Sequence, residues 1–469
     1  MSSITGSHEN RVLSNGARGA TAARMSRARR VVRALAGLAA TAIPALCSAA
    51  PPDYEDTTAR YQTTYNWQKH PAFGAAYSGM NSLHAHAEKM YTFSATAHWG
   101  FRPWPGGEIY FNPELVQGIP FSEFLIGLGG FTNGEITRAA GTNPSVYRQR
   151  LFLRQTWNHG GGSEPVEADL NQMAGTVERN RFVLTIGNFS TLDVFDGNAY
   201  AKDPRTQFMN WGNWTYSAYD YAADARGFGW GFAAQWYQGD WVLRFARMTG
   251  PKVPNGLPVD FELLKHYGDQ IEVERAHTLF DRPGRIRVLG WRNRAILASF
   301  KDALDYFNSH PGGNPQTIFD VRNGEKIKYG IGVNVEQALT ADAGFFLRAM
   351  KADGRTETYA FTEVDASLST GLLFEGGAWG RAGDALGVAL MRNALSDDRR
   401  RYLEAGAISY FIGDGALRYR PESVFEGFYS LNVYKGVWFT ADYQRIANPA
   451  YNADRGPVNV FALRFHAQF

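Results

Sequence analysis

The chain has almost no cysteine: Cys47 is the single thiol among 469 residues. Nor does any stretch reach the ~18 consecutive apolar residues that a membrane-crossing helix needs, so a chain of this kind crosses a bilayer only as strands. Enzyme signatures are missing too, with no G-x-S-x-G, no H-E-x-x-H and no glycine-rich phosphate loop followed by lysine. His266 near Asp269 is at most half of a catalytic pair, since no nucleophile stands at a matching spacing. No self-similar period of about 20–50 residues recurs, which argues against a propeller or a solenoid.

Aromatic residues and glycine are plentiful, with Tyr 23, Phe 31, Trp 12 and Gly 50. At the N-terminus Arg24, Arg27, Arg29, Arg30 and Arg33 precede the small apolar run 34–50. That order predicts a secretory signal over residues 1–50, with Met25 as an alternative start and cleavage near Ala49 or Ala50. Leu46 is too bulky for Cys47 to be a lipoprotein site. Residues 1–50 hold seven of the 48 basic and one of the 45 acidic side chains, so removing them turns the net charge from +3 to −3. Nothing in that balance points to nucleic acid. With Cys47 gone the mature chain has neither disulfides nor thiolate metal sites, and no metal or cofactor is expected.

The last thirteen residues, 457–469, organise the rest. Phe461, Leu463, Phe465, Ala467 and Phe469 share one face at a period of two, while Arg464, His466 and Gln468 share the other. A chain that stops on an aromatic of its apolar face suits a barrel whose last strand closes on the first, with lipid outside and water inside. Similar alternation recurs with turn signals between, notably Gln238-Gly239 and Lys435-Gly436, which supply the positive φ of tight hairpins. The pattern predicts an all-β transmembrane antiparallel barrel of about sixteen strands, enough for an aqueous lumen, with loops folded inward. Strand-like runs include 405–411, and 122–128 reads as a helical stretch within a long connection. Residues 51–89 are expected to be an N-terminal periplasmic segment, and 90–469 the barrel.

If the apolar faces meet lipid, then Glu108, Arg150, Arg154, Arg244, Glu272, Glu274, Glu336, Arg348, Arg392, Glu426, Asp442 and Arg464 face the pore. Mixed guanidinium and carboxylate groups hold a neutral, hydroxyl-rich solute by several hydrogen bonds at once, whereas one sign alone selects ions. The longest stretch without alternation, 188–225, is expected to fold into or over the channel. Its carboxylates Asp193, Asp196, Asp203, Asp220 and Asp224 lack the spacing of a calcium loop and read as hydrogen-bonded loop groups. Trp211, Trp214, Tyr216, Tyr219 and Tyr221 read as a stacking surface or, better, as an interfacial girdle and loop packing.

Several runs resemble the carbohydrate-selective porins of the OprB type: 196–211 (DGNAYAKDPRTQFMNW), 218–227, 150–157 (RLFLRQTW), 70–73, 254–258, 267–270 and 446–457. The likeness extends from about His70 to Phe469. It implies a sixteen-stranded outer-membrane barrel, narrowed by inward loops, that passes monosaccharides such as glucose by passive diffusion. Relatives with the 112–118 stretch NPELVQG differ in lining and solute. In that reading Asp196, Arg205, Asn210 and Trp211 are loop candidates for sugar contact. Expected partners are carbohydrate solutes, outer-membrane lipid and lipopolysaccharide, and the barrel-assembly machinery acting on Phe469, with the protein a monomer or a homotrimer. A general or small-anion porin is the alternative.

Overall fold

The computed structural model describes residues 54–123, 126–138, 141–310 and 318–469. The signal expected over residues 1–50, with Cys47, lies outside them. Strand follows strand because apolar and polar side chains alternate, and many of the stretches end at a glycine, proline or asparagine turn. In chain order these are β1 (Thr57–His70), β2 (Glu88–Trp104), β3 (Gly107–Ile119), β4 (Gly141–Asn158), β5 (Ser163–Val166), β6 (Gly175–Glu178), β7 (Arg181–Phe189), β8 (Gly229–Gln238) and β9 (Trp241–Met248). There follow β10 (Tyr267–Leu279), β11 (Arg282–Ile296), β12 (Glu325–Ala338), β13 (Ala343–Ala352), β14 (Ala366–Glu375), β15 (Ala385–Ala394), β16 (Glu422–Tyr434), β17 (Val437–Ala447) and β18 (Val458–Gln468). All but β5 and β6 form one closed antiparallel barrel of 16 strands, and those two pair as a separate hairpin.

Closure joins the two ends of the chain. β1 pairs with β18 in a register that sets Tyr65 opposite Phe465, and the backbones of Tyr61 and Phe469 exchange two hydrogen bonds of 2.9 Å. An even strand number puts both ends at the same rim. At that rim most connections are tight, such as the hairpins through Gly239 (φ 57°) and Gly436 (φ 74°), where a left-handed conformation is needed. Trp99, Trp104, Trp157, Trp236, Trp241 and Phe469 stand exposed on the outer surface close to the same rim, as an aromatic girdle does. Above them runs an aliphatic band that includes Ile331, Leu390 and Leu463. Leu463 is at the centre of β18 and 58% exposed. Leu463→Arg is therefore expected to lower stability in lipid vesicles by ~2–4 kcal/mol, measured by urea unfolding; an equivalent change at the inward Thr440 sets no such charge in hydrocarbon.

Three sequence expectations change here. Thr57–His70, placed ahead of the barrel, is its first strand. It escaped notice because its inward face is mostly amide, hydroxyl and imidazole (Gln62, Thr64, Asn66, Gln68 and His70, with Arg60 the one charge), leaving only Tyr61, Tyr65 and Trp67 to carry the outer pattern. Residues 405–411 are not a strand; Ala407, Ile408 and Phe411 are buried in a long connection that follows the helix Asp397–Glu404. The strand number survived because these two errors cancel. Within 122–128 the described residues are not helical, and Ser122 and Glu123 take positive φ.

Candidate functional site

The connection between β7 and β8, residues 190–228, does fold into the barrel. Ser190 starts the inward turn: its hydroxyl accepts from Leu192 N at 3.3 Å, while Asp193 accepts from Ser190 N at 2.9 Å. The chain then runs along the inner wall, and one strand after another holds it. Glu272 on β10 accepts Asp196 N at 2.9 Å, and Glu336 on β12 accepts Ala199 N at 2.8 Å. On β13 the Arg348 Nε donates to Asp196 at 2.8 Å and an Nη to Asn213 O at 2.9 Å. Glu426 on β16 accepts Met209 N at 2.6 Å, Asn210 N at 3.0 Å and Asn213 Nδ2 at 2.5 Å. Arg464 on β18 donates to the carbonyls of Pro204 and Gln207 at 2.8 and 2.9 Å. Backbone groups of an irregular segment need partners when water is excluded, and these strand charges supply them.

Two more segments enter the lumen. From the long-loop rim, Phe131 packs edge-on against Trp211, and Glu135 joins Arg205 (3.0 Å) and the Ser94 hydroxyl (2.6 Å). From the short-turn rim the connection 159–180 turns upward, so that Asn171 accepts from Asn112 Nδ2 at 2.8 Å and from Arg154 at 3.0 Å. Its Met173 N donates to the Tyr110 hydroxyl at 3.2 Å.

The predicted pore residues consequently divide. Glu272, Arg348, Glu426 and Arg464 are at most 1% exposed, and Arg244, Glu274, Glu336 and Asp442 at most 8%. They point inward as alternation requires, but the inserted loop covers them or they pair along the wall. Arg244 meets Glu272 and Glu274 at 2.8 and 3.0 Å, and Arg287 continues the chain to Glu274 (2.7 Å) and Glu336 (3.1 Å). Arg287 was legible as the neighbour of Ile286 and Val288 on an alternating strand. Arg392 is on the outer face, exposed between buried Met391 and Asn393. All four loop candidates are struts: Asp196 holds Arg348, Arg205 holds Glu135, Asn210 caps the short helix Trp211–Trp214, and Trp211 is 2% exposed between Phe131, Trp214 and Phe361. The aromatic run 211–221 is loop packing inside the lumen, not a girdle. The five loop carboxylates have separate partners, and His266 meets Asp260 (2.6 Å), not Asp269, which Arg247 and Arg292 hold.

On the wall of β3 and β4, with the start of the loop, paired charges stay partly exposed. Arg154, 27% exposed, pairs with Glu108 at 3.3 Å; Arg150 makes a two-pronged contact of 2.6 and 2.7 Å with Asp193, which is 31% exposed. Arg102 also holds Glu108, at 2.9 Å, and was not singled out from sequence. Burial opposes the Asp193 charge, but the Arg150 guanidinium outweighs it and keeps the carboxyl below the usual range. Desolvation lowers the Lys202 ammonium to about 8 against the pull of Asp196. Toward the long-loop rim a cavity of about 850 Å³ is lined by Phe131, Phe361, Phe411 and Tyr410 with Arg226 and Asn255. Paired charges below an aromatic vestibule offer donors and acceptors to hydroxyls and flat faces to ring C–H groups.

The family model for the carbohydrate-selective porin, OprB family, matches residues 86–469. Among solved structures, the high-pH structure of Pseudomonas putida OprB superposes with a TM-score of 0.63 at 15% identity, over 88% of this chain and 94% of that one, a likeness of fold. The outer-membrane channel DcaP of Acinetobacter baumannii gives a TM-score of 0.48 at 9% identity, over 88% of this chain and 97% of that one. No curated protein sequence is a match.

Proposed function

The chain belongs to the carbohydrate-selective porin, OprB family, and from that premise we propose that it passes monosaccharides such as glucose one ring at a time along the β3–β4 wall. It is an integral channel of the Gram-negative outer membrane through which sugars diffuse. The finer reading rests on one observation: the partly exposed pairs Arg154–Glu108 and Arg150–Asp193 put mixed-sign groups within reach of a solute, while most other inward charges anchor the loop or pair along the wall. A pair already satisfied presents spare lone pairs and N–H groups without a net field. Sugar hydroxyls exchange with it, and no single site holds them too tightly to leave.

Liposome swelling with a panel of sugars against matched ions tests this directly. Saturable entry of glucose supports it; equal rates for all solutes of one size overturn it. Arg154→Ala is expected to weaken glucose block of ion current about tenfold, a change of ~1.4 kcal/mol, with the barrel still formed. A second reading, a small-anion porin, is favoured by three guanidinium groups, Arg102, Arg150 and Arg154, that share only two carboxylates, Glu108 and Asp193, on this wall. Anion-selective reversal potentials with no block by sugar would establish it.

On the outer surface Lys351, Arg392 and Arg445 stand exposed near the long-loop ends of their strands. Their charge and height suit the phosphates of lipopolysaccharide. The terminal Phe469, 46% exposed, suits recognition by the barrel-assembly machinery.

A further inference from the structure

Three side chains at the long-loop rim form a group the channel does not use. A bend at Ala85 and His86, just ahead of β2, brings His84, His86 and Glu88 to one side. One ligand atom from each lies within 4.8 Å of the other two. We infer that they form a binding site for a divalent transition metal of the zinc class, two imidazoles and one carboxylate with a coordination position left for water.

The carboxylate is held in place from outside the group. Glu88 accepts Ser122 N at 3.1 Å and the Ser122 hydroxyl at 3.0 Å, and its Oε2 lies 3.2 Å from Nε2 of the fully buried His70. The Ser122 hydroxyl also accepts His84 N at 2.9 Å, fixing the backbone of the first histidine. Such outer partners orient ligands and tune affinity in metal sites. His84 Nδ1 stands 3.0 Å from Glu88 Oε1. Two ligands at ~2.0–2.1 Å from a tetrahedral ion are about 3.3 Å apart, so that contact needs only a small opening to take a cation in place of the shared proton. The exposed His86 ring lies near-parallel to that of His84, with centroids 5.1 Å apart, and closes the set by side-chain rotation. Two nitrogens and one oxygen favour zinc, copper or nickel over calcium or magnesium, which require oxygen cages.

The position gives such a metal something to hold. It would tie the connection 71–87 to the turn at Phe121 and Ser122, and Met80 and Asn81 of that connection line the upper cavity. An occupied site would stiffen the mouth of the channel.

The test is a calorimetric titration of the full mature chain in detergent, purified without a polyhistidine tag, with zinc chloride. The expected result is saturable binding of one ion per chain, about tenfold or more weaker in His84→Ala, His86→Ala and Glu88→Gln, and about tenfold weaker in Ser122→Ala through lost positioning. No saturable uptake by the wild type, or equal uptake by all variants, overturns the site. His86→Ala changes an exposed ring and decides the matter alone if another variant fails to fold.

Discussion

Glu426→Ala is expected to raise single-channel ion conductance several-fold and abolish discrimination among sugars, while the barrel still assembles. The carboxylate is fully buried on β16 and is the shared acceptor for two backbone N–H groups and one side-chain amide of the loop. Each donor left without a partner in a dry place costs ~1–3 kcal/mol, enough together to free the middle of residues 190–228 from the wall. The strand itself keeps its ladder to β15 and β17, which is made by backbone groups. Glu426→Gln retains an acceptor and should stay close to wild type. Planar-bilayer recording decides it; an alanine variant with unchanged conductance would show that the loop is held elsewhere.

Asp196→Ala should have the largest effect on stability. Asp196 and Arg348 are 0% and 1% exposed, and the carboxylate also accepts from Asn334 at 2.5 Å and Thr215 at 2.9 Å. Breaking a buried pair by removing one partner costs ~3–5 kcal/mol, because the other charge stays buried. The loss should fall on the loop before the barrel. Trypsin is therefore expected to cut at Lys202 or Arg205 in the variant and not in the wild type, and thermal unfolding in detergent should begin earlier. Replacing both partners, Asp196→Leu with Arg348→Met, removes the stranded charge and should recover much of the loss. If the double variant is no better than the single one, burial of an unpaired guanidinium is not the cause.

Much of the architecture could be read from the chain because a barrel wall repeats one local rule. Phe461, Leu463 and Arg464 announce inside and outside without knowledge of any other strand, and Gly239 and Gly436 mark their own turns. The channel's selective part obeys no such rule. Alternation separated Glu426 and Arg154 from lipid equally well, yet one anchors a loop and the other faces the lumen. That difference depends on where residues 190–228 come to rest, a matter of contacts more than a hundred positions apart. β1 was missed for a related reason: its partners are the two strands at opposite ends of the barrel sequence, and its own inward face is polar with a single charge, Arg60. The upward turn at Asn171 left no local trace, since a periplasmic connection of ordinary composition gives no sign that it re-enters the lumen.

Arg150 on β4 and Glu135 grip the inserted loop from ahead of it, but its other strand anchors come after it in the chain, from Glu272 on β10 to Arg464 on β18. The last of them lies on the strand that also seals the cylinder against β1. The seam that closes the cylinder is thus also the last hold on its restriction, since Arg464 grips the carbonyls of Pro204 and Gln207 from the strand that seals against β1.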